Sequence, residues 1–241
     1  MLDNLQTDAS IAEETDSLGG FILPTAVYPM AVAMAYMDQS KGGAVSLNIT
    51  CRNQDGQQIR ETLWMTSGTA KGGNNFYTDK SGKKHYLPGF NMANSISNLS
   101  IGKDIGSLTP ETKTIKVYDY TQRKEVPMEK QVLTELIGAE ITLGVVHQIV
   151  DKNEKNAAGV YVPTGETREE NVIDKVFRTK DGLTTAEVRA EATESEFLTK
   201  WEEKNTGKTR NKAKGVGAGT GTAGAPAGAD TPSIFGANGG N

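Results

Sequence analysis

Residues 71–90, KGGNNFYTDKSGKKHYLPGF, set Lys71, Lys80, Lys83 and Lys84 among Phe76, Tyr77, Tyr86 and Phe90, with one acid, Asp79. That mixture suits an unpaired nucleic-acid strand. Ammonium groups track phosphates and release their counterions. Flat rings stack on exposed bases, at about 1–3 kcal/mol per base. His85 lies among the lysines and reads as an anion contact. The same composition also describes a solvated hairpin whose rings fold back onto a core, so the neighbouring elements must decide. In 58–66, alternation puts Ile59, Leu63 and Met65 on one face and Arg60, Thr62 and Trp64 on the other. Arg52 joins Arg60 and Trp64. A tryptophan flanked by arginines on a polar face suits a stacking platform. Tyr161, Lys175 and Arg178 are further candidates. So are Lys208, Arg210, Lys212 and Lys214 in KNTGKTRNKAK (204–214), read as a mobile basic strand that folds over bound DNA. Alternatively, those cations pair with the six acids of 187–203.

Catalytic constellations are hard to find in the sequence. Gly207-Lys208-Thr209 imitates the end of a phosphate-binding loop, but position 202 holds Glu202 where the first glycine belongs. The one cysteine, Cys51, excludes an intramolecular disulfide and any zinc site with two thiolates. Of the two histidines, His147 lies on an apolar strand face and reads as a satisfied core residue. No Ser–His–acid set or metal-spaced carboxylates stand out. The expectation is a protein that is not an enzyme and that needs no metal or cofactor.

The elements that must carry these residues read mostly as strands. AVSLNITCR (44–52) alternates Val45, Leu47, Ile49 and Cys51 with polar residues, and Asp55-Gly56 marks a hairpin turn. With 26–37 before it and 58–66 after it, this makes a three-strand meander. A long loop, 67–86, follows. Met92, Ile96, Leu99 and Ile105 recur near helical spacing, which predicts a helix at about 89–101. Strands return at 112–118, at 138–152 and at about 171–179, with 152–166 as a loop. The expected fold is mainly β: a five-stranded, OB-fold-like barrel with a helix between strands three and four. A β-sandwich fits nearly as well. Residues 184–205 read as one C-terminal helix, with capping boxes at Thr184/Glu187 and Thr193/Glu196. Phe197 and Trp201 share a face there, which either docks on the barrel or binds a partner.

Charge divides the chain further. Of the 241 residues, 1–20 carry five acids and no base, whereas 41–124 carry twelve bases and six acids. Residues 215–241 hold nine glycines and a single charge, too little apolar surface to offset ordering entropy, and read as a disordered Gly/Ala-rich tail. The organisation is an acidic arm (1–20), a core domain (21–183), a helix (184–205), then a basic segment and tail (206–241). The uncharged run 21–37 is shorter than a membrane span and is broken by Pro24 and Pro29. An acidic start argues against a signal peptide.

Three stretches resemble the single-stranded DNA-binding proteins that tailed bacteriophages encode for replication. They are YTDKSGKKHYLPGFNMANSISNLSIGKDI (77–105), VLTELIGAEITLGVV with YVPTGETREENVIDKVF (132–177), and FLTKWEEKNTGKTRNKAKG (197–215). The resemblance covers roughly 20–215. It implies an OB-fold core and binding to single-stranded DNA without marked sequence preference, during replication or recombination in the cytoplasm of the infected host. It also implies possible partners among the phage polymerase and helicase/primase, with DNA contacts at 77–86. Many such proteins end in an acidic tip, whereas this chain ends TPSIFGANGGN. A phage structural protein of the tail or head decoration, without nucleic-acid binding, and a strand-annealing protein remain the other readings.

Overall fold

The computed structural model describes residues 22–214, apart from 120, 121, 123 and 158. The acidic arm and the Gly/Ala-rich tail lie outside the described residues. What is described is mainly β: a curled antiparallel sheet forming a half-barrel, with few helices. Its elements begin with β1 (Ala26–Gln39), β2 (Val45–Arg52) and β3 (Gln58–Trp64). A short ribbon, β4 (Phe76–Thr78) and β5 (Lys84–Tyr86), leads into α1 (Pro88–Ile101). A hairpin of β6 (Glu111–Asp119) and β7 (Lys124–Val132) precedes the long pair β8 (Glu140–Lys155) and β9 (Tyr161–Phe177). Then come α2 (Thr185–Arg189), α3 (Glu196–Asn205) and β10 (Arg210–Asn211).

The main path through the sheet is β10-β8-β1-β2-β3, with β9 on β8 and the β6–β7 hairpin on β1. β1 is shared. Ala26–Ala31 pair with β8, and Tyr36–Met37 pair with β7. A bulge between Val32 and Met34 separates the two halves. The extra residue resets the alternation. Met30 and Val32 point inward before the bulge, and Ala35 and Met37 after it. Leu47, Ile49, Cys51, Ile59 and Leu63 complete that inner face, and Ile141, Leu143, Val145, Ile173 and Val176 close over it. α1 covers one end with Ala93, Ile96 and Leu99. Pro88 starts it, and Gly102 ends it at φ 72, a left-handed turn that favours glycine.

Several sequence expectations change here. The 152–166 loop is strand: β8 and β9 extend through it as an arm, and only the short segment between Lys155 and Tyr161 turns. Alternation there is too polar to announce a buried face, and none of the described arm residues is buried. The loop 67–86 holds the β4–β5 ribbon, and β7 was not foreseen. The described residues form ten strands where five were expected. Residues 184–205 form two helices. Thr184 and Glu187 make the expected capping box, but α3 is capped by Ser195, whose hydroxyl accepts from Leu198 N–H. Glu196 is therefore the first helical residue and not the third.

α3 docks on the sheet. Trp201 is buried against Phe177, at 6.3 Å between ring centroids, and its Nε1–H donates to Asp174 at 2.8 Å. Gly144 of β8 makes room: a Cβ there would stand 3.1–3.2 Å from the Trp201 and Phe177 rings. With α3 on one side and the interior of the curled sheet on the other, Ile141–Val146 are buried on both faces. The basic segment is also laid down. Arg210 and Asn211 pair parallel with Gln148 and Ile149 as β10. Thr25 fastens it: its carbonyl accepts from Gly207 N–H, and its hydroxyl donates to the Lys208 carbonyl and accepts from His147 N–H. The mobile strand suggested by the Asn, Thr and Gly spacers is instead an edge strand. No helix among the described residues is long and apolar enough to cross a membrane.

Candidate nucleic-acid interface

Directly paired residues of neighbouring strands lie on the same side of a sheet, so the register fixes the outer face. On β3 it carries Gln58, Arg60, Thr62 and Trp64; opposite them on β2 stand Arg52, Thr50, Asn48 and Ser46. Arg52, Arg60 and Trp64 do share one face. The Gln58 amide lies between the Arg52 and Arg60 guanidiniums, which holds the two cations apart. Trp64 is half-buried at the end of the row. β1 adds two residues that sequence reasoning missed. Met34 pairs with Thr50, and Tyr36 pairs with Asn48. Strict alternation through 26–37 groups them with the inward Met30 and Val32; the bulge turns them outward. Next to Tyr36, the Lys130 ammonium of β7 sits 5.9 Å from the ring centroid and 2.8 Å from Asp38.

The β4–β5 ribbon rises from the Trp64 end of this face. Its base is tied to the β1–β2 turn by the Thr69 N–H on the Gly42 carbonyl. Lys71 is exposed in that base. The N-terminus of α1 is pressed onto β3: a Cβ on Gly89 would stand 2.2 Å from the Trp64 carbonyl oxygen. Within the ribbon, Phe76 pairs with Tyr86, and Tyr77 with His85. Tyr86 packs on Phe90, at 4.9 Å, and the Lys84 ammonium lies 4.6 Å from the centre of the Phe76 ring. Tyr77 stacks on His85, at 5.4 Å, on the opposite side. Tyr77 and Tyr86 are 50% and 56% exposed, so each offers a free ring face.

Asp79 explains the ribbon's charge. One carboxylate oxygen accepts from the Ser81 N–H, the Ser81 hydroxyl and the Lys83 N–H; the other lies 2.8 Å from His85 Nε2. The Ser81 hydroxyl first, then His85 and the Lys83 N–H, hold the carboxyl well below the usual carboxylate range. The loop's single acid is thus engaged in folding the turn and pairs with none of the lysines. His85 has this carboxylate as a partner within the turn.

The other candidates lie elsewhere. Arg178 is bound by Asp181 through Nε and Nη2. Lys175 stands 5.6 Å from the centre of the Phe197 ring, beside α3. Arg210 pairs with Asp174 at 3.0 Å, an acid outside the 187–203 cluster. The Lys208 ammonium turns onto backbone carbonyls of α3, and Lys212 and Lys214 are fixed to the β8 edge by their backbone N–H groups. Tyr161 is 64% exposed on the arm, with the Lys155 ammonium 5.2 Å from its ring centre. The structure does not bring these residues to the Arg60–Trp64 face. His147 is not a core residue either: its ring lies between Glu169, 3.0 Å from Nε2, and the Thr209 hydroxyl, 3.2 Å from Nδ1.

One inward-facing, half-buried acid was also overlooked. Glu61 points inward between Ile59 and Leu63, and its carboxylate accepts the Ile173 N–H of β9 at 2.8 Å. It bridges the seam where β3 and β9 approach. Burial pushes its carboxyl up to about 7, against the pull of that N–H, and Glu170 and Asp174 add to the rise. The same burial pushes the Cys51 thiol up to about 12, so it is a packing residue and not a nucleophile. No family model matches this chain, and no curated protein matches it.

Proposed function

We propose that the protein binds single-stranded DNA without marked sequence preference, on the outer face of β1–β3 and the β4–β5 ribbon. The observation that carries this reading is the assembly of Arg52, Arg60, Trp64 and Tyr36 on one face, beside a ribbon whose lysines have no carboxylate partner among the described residues. Cations for phosphates and ring faces for unstacked bases are the two ingredients of such a site. The barrel reading has support of its own. β1, β2, β3, β8 and β9 follow the order β3-β2-β1-β8-β9, Glu61 spans the remaining seam, and α1 lies between β3 and β8, as in an OB-fold. On this reading the protein coats single strands during phage replication or recombination in the host cytoplasm, beside the phage polymerase and helicase/primase.

The test is fluorescence anisotropy with single-stranded and duplex oligonucleotides over a salt series. Single strands bind in preference, and affinity falls steeply with salt. Trp64→Ala weakens binding with little change in the salt slope. Lys83→Ala with Lys84→Ala lowers the slope by about 1.4, at roughly 0.7 per phosphate contact. Equal affinity for duplex, or no binding of single strands at low salt, refutes the proposal and favours a structural role in the virion.

A further inference from the structure

The outer face does not stop at β1. Tyr36 is directly opposite Val132 of β7, and Val132 is buried yet stands apart from the barrel's main core. The same side of β7 then presents Lys130, Met128, Val126 and Lys124 in alternation. Opposite them on β6 lie Lys113, Ile115, Val117 and Asp119. The hairpin sorts its charge between its two faces. Glu125 and Glu129 share the far side with Lys116 and Tyr118. The continuous face from β3 to β6 therefore holds five cations, at 52, 60, 113, 124 and 130, against three carboxylates, at 38, 111 and 119.

The β8–β9 arm is the other extension a bound strand could follow, and it has the opposite character. Residues 151–170 carry five acids and three bases. Each base is engaged: Lys152 with Glu166 at 2.7 Å, Arg168 with Glu170 at 2.6 Å, and Lys155 against the Tyr161 ring. The near side of the hairpin alone holds Lys113, Lys124 and Lys130 against Glu111 and Asp119, a small cationic excess, whereas the arm is acidic. A polyanion is steered by the sign of the local field, and the two extensions differ in that sign.

We infer that a bound single strand leaves the β1–β3 face across Tyr36 and runs along the Lys113–Lys124 side of the β6–β7 hairpin, not along the β8–β9 arm. This rests on the function proposed above and gives the site its direction. The nine-residue strand β6 adds about 30 Å of path, at roughly 3.3–3.4 Å per residue. Met128 and Ile115 offer apolar surface to bases. Lys113, paired at 2.8 Å with its exposed neighbour Glu111, exchanges that partner for phosphate.

The experiment is anisotropy with oligo(dT) of stepped length, at several salt concentrations. Lys113→Gln with Lys124→Gln lowers the salt slope by about 1.4, two contacts at roughly 0.7 each, and shortens the oligomer length at which affinity levels off. Lys116→Gln, on the hairpin's far side, and Lys152→Gln with Lys155→Gln, on the arm, leave both quantities at wild-type values. If the arm variant shows the losses, or the Lys113/Lys124 variant matches a wild type that binds, the path is wrong while single-strand binding stands. If the wild type binds no oligomer, both proposals fall together.

Discussion

Glu61→Gln isolates the seam between β3 and β9. The carboxyl titrates near 7 in the folded protein, against an ordinary 4.5. A tenfold change in proton affinity corresponds to about 1.4 kcal/mol, so keeping Glu61 ionised in the fold costs about 3 kcal/mol relative to the unfolded chain. Between these two values the folded state holds a proton that the unfolded state has lost. The favourable contribution is complete below about pH 4.5 and is lost as pH rises through 7. Glutamine carries no charge at any pH, and its carbonyl oxygen can still accept the Ile173 N–H. Urea unfolding from pH 4.5 to 8, followed by tryptophan fluorescence, should show the variant gaining on the wild type as pH rises. The gain reaches up to about 3 kcal/mol at pH 8. A stability difference that does not change with pH, or a variant that falls further behind at pH 8, refutes the idea that Glu61 is held protonated by burial.

Three further outcomes follow from the packing. Gly89→Ala drives a methyl group into the Trp64 backbone, not into a yielding side chain, and should lower stability by about 1–3 kcal/mol in thermal melts. Trp201→Phe keeps a ring against Phe177 but removes the donor to Asp174; denaturant titration should show a loss of about 1–3 kcal/mol. Replacing Lys208, Arg210, Lys212 and Lys214 together with Gln should change the single-strand salt slope by less than one contact, about 0.7, because the segment is laid along β8 away from the outer face.

Strand alternation was legible wherever one face is apolar. It placed Arg52, Arg60 and Trp64 together, because Cys51, Ile59 and Leu63 mark the buried side without ambiguity. It failed in β1, where both faces carry large residues and a one-residue bulge reverses the assignment of Met34 and Tyr36. It failed again in the arm, where neither face is buried and period two has nothing to report. Glu61 was overlooked because a carboxylate between Ile59 and Leu63 looks like an interruption of the pattern, when it is the group that spans the seam. The basic segment misled for a related reason. Its spacers argue against a helix, but an edge strand asks only for backbone partners, and β8 provides them.

Thr25 fastens the start of β1 to residues 207 and 208 with both its carbonyl and its hydroxyl. Leu23 is bonded to Asn171 of β9 and Lys214 to Asp151 of β8, so both ends of the described residues leave beside the β8–β9 pair. That proximity makes the chain a candidate for circular permutation. A short flexible linker from Lys214 to Ile22, with new termini opened between β6 and β7, preserves every pairing of the sheet. Fluorophores or affinity handles attached to such a permutant would sit beside Asp119 and Lys124, at the opposite end of the β6–β7 pairing from Val132.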